Sequence, residues 1–212
     1  MVQLAVKIFP AIQTNFTSDA HPELPRAEMF VRPQGYGPGC MSAEEAEFVW
    51  SVVRIAKPLR ALETGCEGGL TTCSIARALE DNIRGYLDTV EWNSEWLERT
   101  RDMLKVHQLE PRVVLHLGGS MNYIRHLTPS DVFDFALLDS SIPTRLEEFD
   151  ALMKGLHLRA GALVILHDTA PHHPMRGATP LFRDWIKDQP YADRVRSVEL
   201  PSPRGIMLIE IR

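Results

Sequence analysis

The sequence predicts an open α/β fold: a seven-stranded, mostly parallel sheet with helices on both faces and an antiparallel hairpin at its C-terminal end. Three observations carry that expectation. From residue 42 onward, short apolar runs alternate with segments of helical period. Two of those runs, residues 136–138 and 162–166, are apolar without a break, as strands covered on both faces are. The stretch "LETGCEGGLTT", residues 62–72, sets three glycines between a strand and a helix. Glycines are costly to order unless the backbone turns tightly or comes close to something.

Residues 1–41 stand apart from the rest. "SDAHPELPRAEMFVRPQGYGPGC" is dense in Pro and Gly without periodicity, and reads as an irregular arm or lid ahead of a domain at 42–212. "SAEE" at residues 42–45 is a capping box opening a helix, with Phe48, Val49, Val52, Val53, Ile55 and Ala56 as its apolar face and Pro58 as its stop. "RALE", residues 60–63, is the first strand, and residues 72–79 belong to the helix after the glycine turn. Residues 86–92 form the second strand, followed by a helix from Ser94 with Leu97 and Leu104 on one side. The third and fourth strands fall at 112–117 and 133–139. Leu146, Phe149, Met153 and Leu156 mark a helix that ends near Gly161, and 162–168 is the fifth strand. Thr179 and Pro180 open a helix carrying Leu181, Phe182, Trp185 and Ile186. Two β-rich runs, 194–200 and 205–211, joined by "PSPR", make the closing hairpin.

Composition limits the partners. The 212 residues are 44% hydrophobic and 24% charged, as in an ordinary soluble domain. A net charge of −5 disfavours nucleic acid, which needs a basic surface. Cys40, Cys66 and Cys73 are odd in number and lack ligand spacing, as expected of reduced thiols in a cytoplasmic protein. The first residues carry no basic region ahead of their apolar ones and are broken by Pro10, and no apolar run reaches membrane-spanning length. A cytoplasmic protein with no membrane partner is expected, and a homodimer is left open.

The glycine spacing narrows the ligand. It is not the G-x-G-x-x-G that presses a pyrophosphate against a helix, and no Lys follows as in a phosphate-cradling loop. What remains is a ligand without phosphate, carrying an amino-acid end and a ribose. The stretch resembles the E-x-G-x-x-x-G-x-x-T first motif of the class I S-adenosylmethionine-dependent methyltransferases, met here by Glu63, Gly65, Gly69 and Thr72. Further motifs follow in the family's order over residues 42–212. "DTVEW" ends the second strand with Glu91, where the resemblance implies a hold on the ribose hydroxyls, and with Trp92 beside it as an adenine platform. "LGGSMNYI" implies adenine contacts from Gly119, Ser120 and Met121, and "FDFALLDSS" places Asp139 beside the transferable methyl group. The resemblance also implies a Rossmann-like sheet with its seventh strand antiparallel. Read singly, Glu91 is equally a solvated strand end, Trp92 a packing residue and Gly68 a relief of crowding.

"LVILHDTAPHH" bears on the chemistry. Asp139 and Asp168 end strands that lie side by side in such a fold, about 4.8 Å apart, so their carboxylates are placed to share a proton or a cation. The pair resembles that of catechol-type small-molecule O-methyltransferases and related sugar-hydroxyl enzymes, which implies a divalent metal, naturally Mg²⁺, on Asp139 and Asp168. Thr169 stands where those enzymes carry Asn or Asp. Without a metal, His167 or Asp139 is the base for the acceptor hydroxyl, while His172 and His173 read either as loop surface or as participants. The expected function is transfer of the methyl group of S-adenosylmethionine to a hydroxyl of a small-molecule acceptor. The alternatives are a nucleic-acid or protein methyltransferase, for which "DSSI" lacks the Asn/Asp-Pro-Pro-Tyr run, or a non-catalytic binding protein of the same fold.

Overall fold

The computed structural model describes residues 41–212, so the arm expected at 1–41 lies, apart from Met41, outside the described residues. Helix α1 (Ala43–Ala56) begins with the capping box: the Glu45 N–H donates to the Ser42 hydroxyl at 3.2 Å, and the Ser42 N–H donates to the Glu45 carboxylate at 2.8 Å. It stops where Lys57 turns left-handed ahead of Pro58. Val49, Val52 and Val53 face inward, but Ile55 is 52% exposed. At about 100° per residue, Ile55 lies about 120° round from Val49, off the stripe it was expected to join.

Seven strands follow: β1 (Arg60–Thr64), β2 (Tyr86–Glu91), β3 (Val113–Leu117), β4 (Phe133–Leu138), β5 (Leu158–His167), β6 (Val195–Leu200) and β7 (Ile206–Ile211). They form one sheet in the order β3-β2-β1-β4-β5-β7-β6. The pairs among β1 to β5 are parallel, and β7 runs antiparallel between β5 and β6. The closing hairpin thus lies at the sheet edge as expected, with its second strand on the inside. The strand order reverses between β1 and β4, and in open α/β sheets the crevice at such a point, above the strands' carboxyl ends, receives ligands.

The helices divide between the faces. Helix α2 (Leu70–Asp81) joins α1 against Phe135, Leu137, Ile165 and Leu208, and α3 (Ser94–Val106) packs outside it through Leu104. On the other face, α4 (Ser120–Arg125), α5 (Ile142–Lys154) and the short α6 (Phe182–Trp185) contribute Ile124, Phe149 and Phe182, packed on Phe133, Leu138, Val164 and Ile209. Alternate residues of β4 and β5 therefore serve opposite cores, which is why residues 136–138 and 162–166 are apolar without a break.

Two boundaries differ from the sequence reading. Helix α5 ends at Lys154 rather than near Gly161; Leu156 takes a left-handed turn (φ 58°), is 64% exposed, and β5 starts already at Leu158. The strand absorbs the additional residues as a bulge around Gly161, the register passing from Phe133↔Leu158 to Phe135↔Leu163. The helix expected from Thr179 is a single α-turn starting at Phe182, continued by a 3₁₀ turn at Ile186–Asp188. No helix among the described residues is long and apolar enough to cross a membrane.

Candidate active site

The turn after β1 is built on positive-φ backbone: Gly65 at 81°, Glu67 at 33°, Gly68 at 89° and Gly69 at 97°. Gly65 and Gly69 each have a neighbour to accommodate. A Cβ on Gly65 would lie 2.5 Å from the Asp139 carbonyl oxygen, and one on Gly69 would lie 3.0 Å from Thr100 Cα. The turn is therefore pressed against the end of β4 on one side and against α3 on the other. Beneath it, Glu63 is fully buried and accepts hydroxyl protons from Thr71 (2.5 Å), Thr72 (2.6 Å) and Thr89 (2.9 Å). Burial pushes its carboxyl up to about 7 despite those three donors.

A cleft of about 590 Å³ opens over these strand ends, a volume suited to a ligand of nucleoside size. Its wall takes in Gly65, Cys66, Glu67 and Thr71 of the first turn, Glu91 and Trp92 after β2, Gly118 to Met121 after β3, and Asp139 to Ser141 after β4. Of the expected cofactor residues, Gly65, Glu91, Trp92, Gly119, Ser120, Met121 and Asp139 share this wall. Glu63, Gly69 and Thr72 do not: they lie behind it, where the Glu63 carboxylate ties β1, β2 and α2 together.

Glu91 is 4% exposed, and its two oxygens accept from the backbone N–H groups of Cys66 (3.0 Å), Glu67 (3.4 Å) and Asn93 (2.9 Å). It is a braced carboxylate at the cleft wall, not a solvated strand end. Trp92 is 77% exposed and so is no packing residue. The Ser120 hydroxyl donates to Glu148, a fully buried carboxylate of α5 that also accepts from Thr64 at 2.9 Å. Burial raises the Glu148 pKa.

Beside the cleft, charges converge at the ends of β4 and β5. Arg145, in the first turns of α5 and 5% exposed, donates through one Nη to Asp139 Oδ1 at 2.8 Å and to Asp168 Oδ2 at 2.9 Å. Its other Nη donates to the His167 carbonyl at 2.5 Å. Arg204, in the β6–β7 turn, donates to Asp168 Oδ1 at 2.5 Å. The His167 ring is wholly enclosed, with Nδ1 3.0 Å from Asp139 Oδ1 and Nε2 3.4 Å from Glu45, a distance that makes the latter an ion pair more than a hydrogen bond. Burial works against the charged imidazolium, but Asp139, Glu45 and Asp168 outweigh it and push His167 up to about 9. Burial opposes charge on Asp168 too, yet Arg204, His167 and Arg145 bring it down to about 2. His173 has Nε2 3.3 Å from Asp168, whereas His172 is exposed.

A family model described as a methyltransferase domain matches residues 62–169, half of the chain. The chain belongs to this family. Catechol O-methyltransferase domain-containing protein 1 of Mus musculus is 26% identical over 123 residues, 57% of this chain and 46% of that protein, so the chain matches less than half of that relative's length. Among solved structures, the O-methyltransferase TomG from Streptomyces achromogenes, in complex with SAM, superposes with a TM-score of 0.71 at 21% identity over 98% of this chain and 96% of its own. The SAH-bound methyltransferase of Podospora anserina gives 0.75 at 18% over 100% and 95%, and an O-methyltransferase from Bacillus cereus with SAH gives 0.73 at 17% over 100% of both chains. At these identities the solved structures speak for the fold, which they share with this methyltransferase domain.

The convergent charges bear on two expectations for the methyltransferase site. His167, expected as a base, has no exposed ring surface, and its Nδ1 is engaged with Asp139. A divalent cation needs free oxygens. Asp139, His167 and Asp168 bring ligand atoms within 4.8 Å of one another. Both oxygens of Asp168 and Oδ1 of Asp139 are already bound to guanidinium groups, however, and Thr169 offers a neutral hydroxyl. This donor set does not fit a divalent metal. Arg145, Arg204 and Glu148 escaped the sequence reading, and Glu45 entered it only through the capping box. Of the first three, only Arg145 left a trace there, since a helix starting straight after Asp139 turns its sixth following residue back to the strand end.

Proposed function

We propose that the domain transfers the methyl group of S-adenosylmethionine to a hydroxyl of a small-molecule acceptor. The observation that carries this reading is the shared wall of one cleft, on which the glycine turn, the braced Glu91 carboxylate and Asp139 meet above the strand ends. In this reading Gly65 and its neighbours enclose the methionine end, Glu91 accepts hydrogen bonds from the ribose diol, and Gly119, Ser120 and Met121 border the adenine. Ser120, its proton given to Glu148, presents lone pairs to the cleft.

Asp139 is the reactive-end residue. Arg145 and His167 both hold Oδ1, and Oδ2 has no hydrogen bond among the described residues. That oxygen can take the acceptor's hydroxyl hydrogen and align the acceptor oxygen with the methyl carbon, an effect of positioning. Family membership supports methyl transfer, and the net charge of −5 supports a small acceptor over nucleic acid. The test is calorimetric titration with S-adenosylhomocysteine, followed by transfer of labelled methyl from S-adenosylmethionine to a panel of phenols and sugar alcohols. Absence of binding at millimolar ligand sinks the reading. Binding with transfer only to nucleic acid or protein would replace its acceptor.

A further inference from the structure

We propose that the guanidinium of Arg145 stands where a divalent cation would stand between Asp139 and Asp168, and that the site works without a metal. The proposal rests on the methyltransferase reading above and concerns the charge that holds Asp139 in place. Two carboxylates at neighbouring strand ends stay ionised together only with a positive charge between them. One Nη of Arg145 is that bridge, 2.8 Å from one carboxylate and 2.9 Å from the other. The side chain is 5% exposed, and its second Nη is anchored on the His167 carbonyl, so it is not a loose arm that a metal would brush aside.

The surroundings agree. Asp168 has no oxygen to spare, because Oδ1 is on Arg204. Counting Glu45, Asp139 and Asp168 against Arg145, Arg204 and His167, the cluster has as many basic groups as acidic ones. Two further positive charges would have to enter beside an enclosed guanidinium, and Mg²⁺ gives up its water only for well-placed oxygens. Thr169 completes the pattern, its buried hydroxyl a weak ligand where an anion or amide would serve a metal. Arg145 is thus a positioning residue: together with His167 it holds Asp139 by Oδ1.

The experiment is a titration of the full chain with Mn²⁺, followed through the paramagnetic resonance signal of the free ion. Arg145→Ala, Arg145→Lys, Asp139→Asn and the double variant Arg145→Ala/Asp139→Asn run in parallel, with S-adenosylhomocysteine affinity measured in chelator and in Mg²⁺. The expected result is no Mn²⁺ uptake by the wild type or by Arg145→Lys at millimolar ion. Arg145→Ala takes up one Mn²⁺, and the added Asp139→Asn removes it. Saturable Mn²⁺ binding by the wild type that Asp139→Asn abolishes overturns the proposal, as does a folded Arg145→Ala that takes up none. Should the alanine variant not fold, the wild-type titration decides by itself. Loss of S-adenosylhomocysteine binding under all conditions, with the Mn²⁺ pattern intact, would strike the proposed function and leave the Arg145 assignment standing.

Discussion

Gly65→Ala is expected to cost well over the loss from Gly161→Ala, although the two glycines have nearly the same backbone, φ 81° and 85°. A left-handed conformation costs a residue with a Cβ about 1–2 kcal/mol, and this applies equally to both. At Gly161 a Cβ meets nothing within 4 Å, so strain is the whole penalty. At Gly65 it would sit 2.5 Å from the Asp139 carbonyl oxygen, 2.9 Å from the carbonyl carbon and 3.1 Å from the Ser140 nitrogen. These are backbone atoms and cannot swing aside. Asp139 is held further by its N–H on Thr64 (2.9 Å) and by its carboxylate on Arg145 and His167. Forcing that end of β4 outward adds an overpacking cost of about 1–3 kcal/mol. Urea unfolding of the two variants measures the difference directly, through midpoints at a common slope. Folded Gly65→Ala should also bind S-adenosylhomocysteine at least tenfold more weakly, because the same shift displaces the cleft wall. Equal stability losses for the two variants would refute the reasoning, since they would mean that the contact with Asp139 carries no energy.

Two other outcomes follow from the carboxylates and the histidine. Glu91→Ala should weaken S-adenosylhomocysteine at least tenfold, as the loss of two charge-assisted bonds of about 1.5–3 kcal/mol each implies; an unchanged dissociation constant would leave Glu91 only its role on the turn amides of Cys66 and Glu67. His167, raised from 6.5 to about 9, stabilises the fold fully below pH 6.5 and loses that contribution as the pH rises through about 9. The loss is about 3–4 kcal/mol at most, and unfolding free energies across that window should fall more steeply for the wild type than for His167→Gln; parallel curves would mean that the ring is uncharged.

The fold was largely legible because its signals are local. A capping box, a glycine turn and runs such as 162–166 each state their geometry within a few residues, and their order implies a parallel sheet. Boundaries fared worse where the chain did something a period cannot express, as at Leu156, whose left-handed turn ends α5 early, and at the bulge around Gly161. The cleft wall followed from motif order, yet Glu63 and Thr72, read from the same motif, turned out to face each other behind it. The charge centre was half visible. Asp139, His167 and Asp168 could be placed at strand ends, but the charges that pair with them are those of Arg145, Arg204 and Glu45, which arrive from a helix, a hairpin turn and the first helix. No spacing in one chain announces such a meeting, so the enclosure of His167 beside Asp139 could not be read there.

The hairpin that ends the sheet has a bearing on how the molecule breathes. Among the described residues, strand β6 is hydrogen-bonded to the sheet only through β7, so parting β7 from β5 releases both strands in one step. The turn between them carries Arg204 onto Asp168, and its backbone accepts the N–H groups of Thr169 (3.1 Å) and Ala170 (2.9 Å). A local unfolding of this unit would withdraw a counter-charge from a buried carboxylate and free the loop after β5 together. Native-state hydrogen exchange at the β7 amides would then report on the electrostatic health of a site to which that strand contributes no side chain.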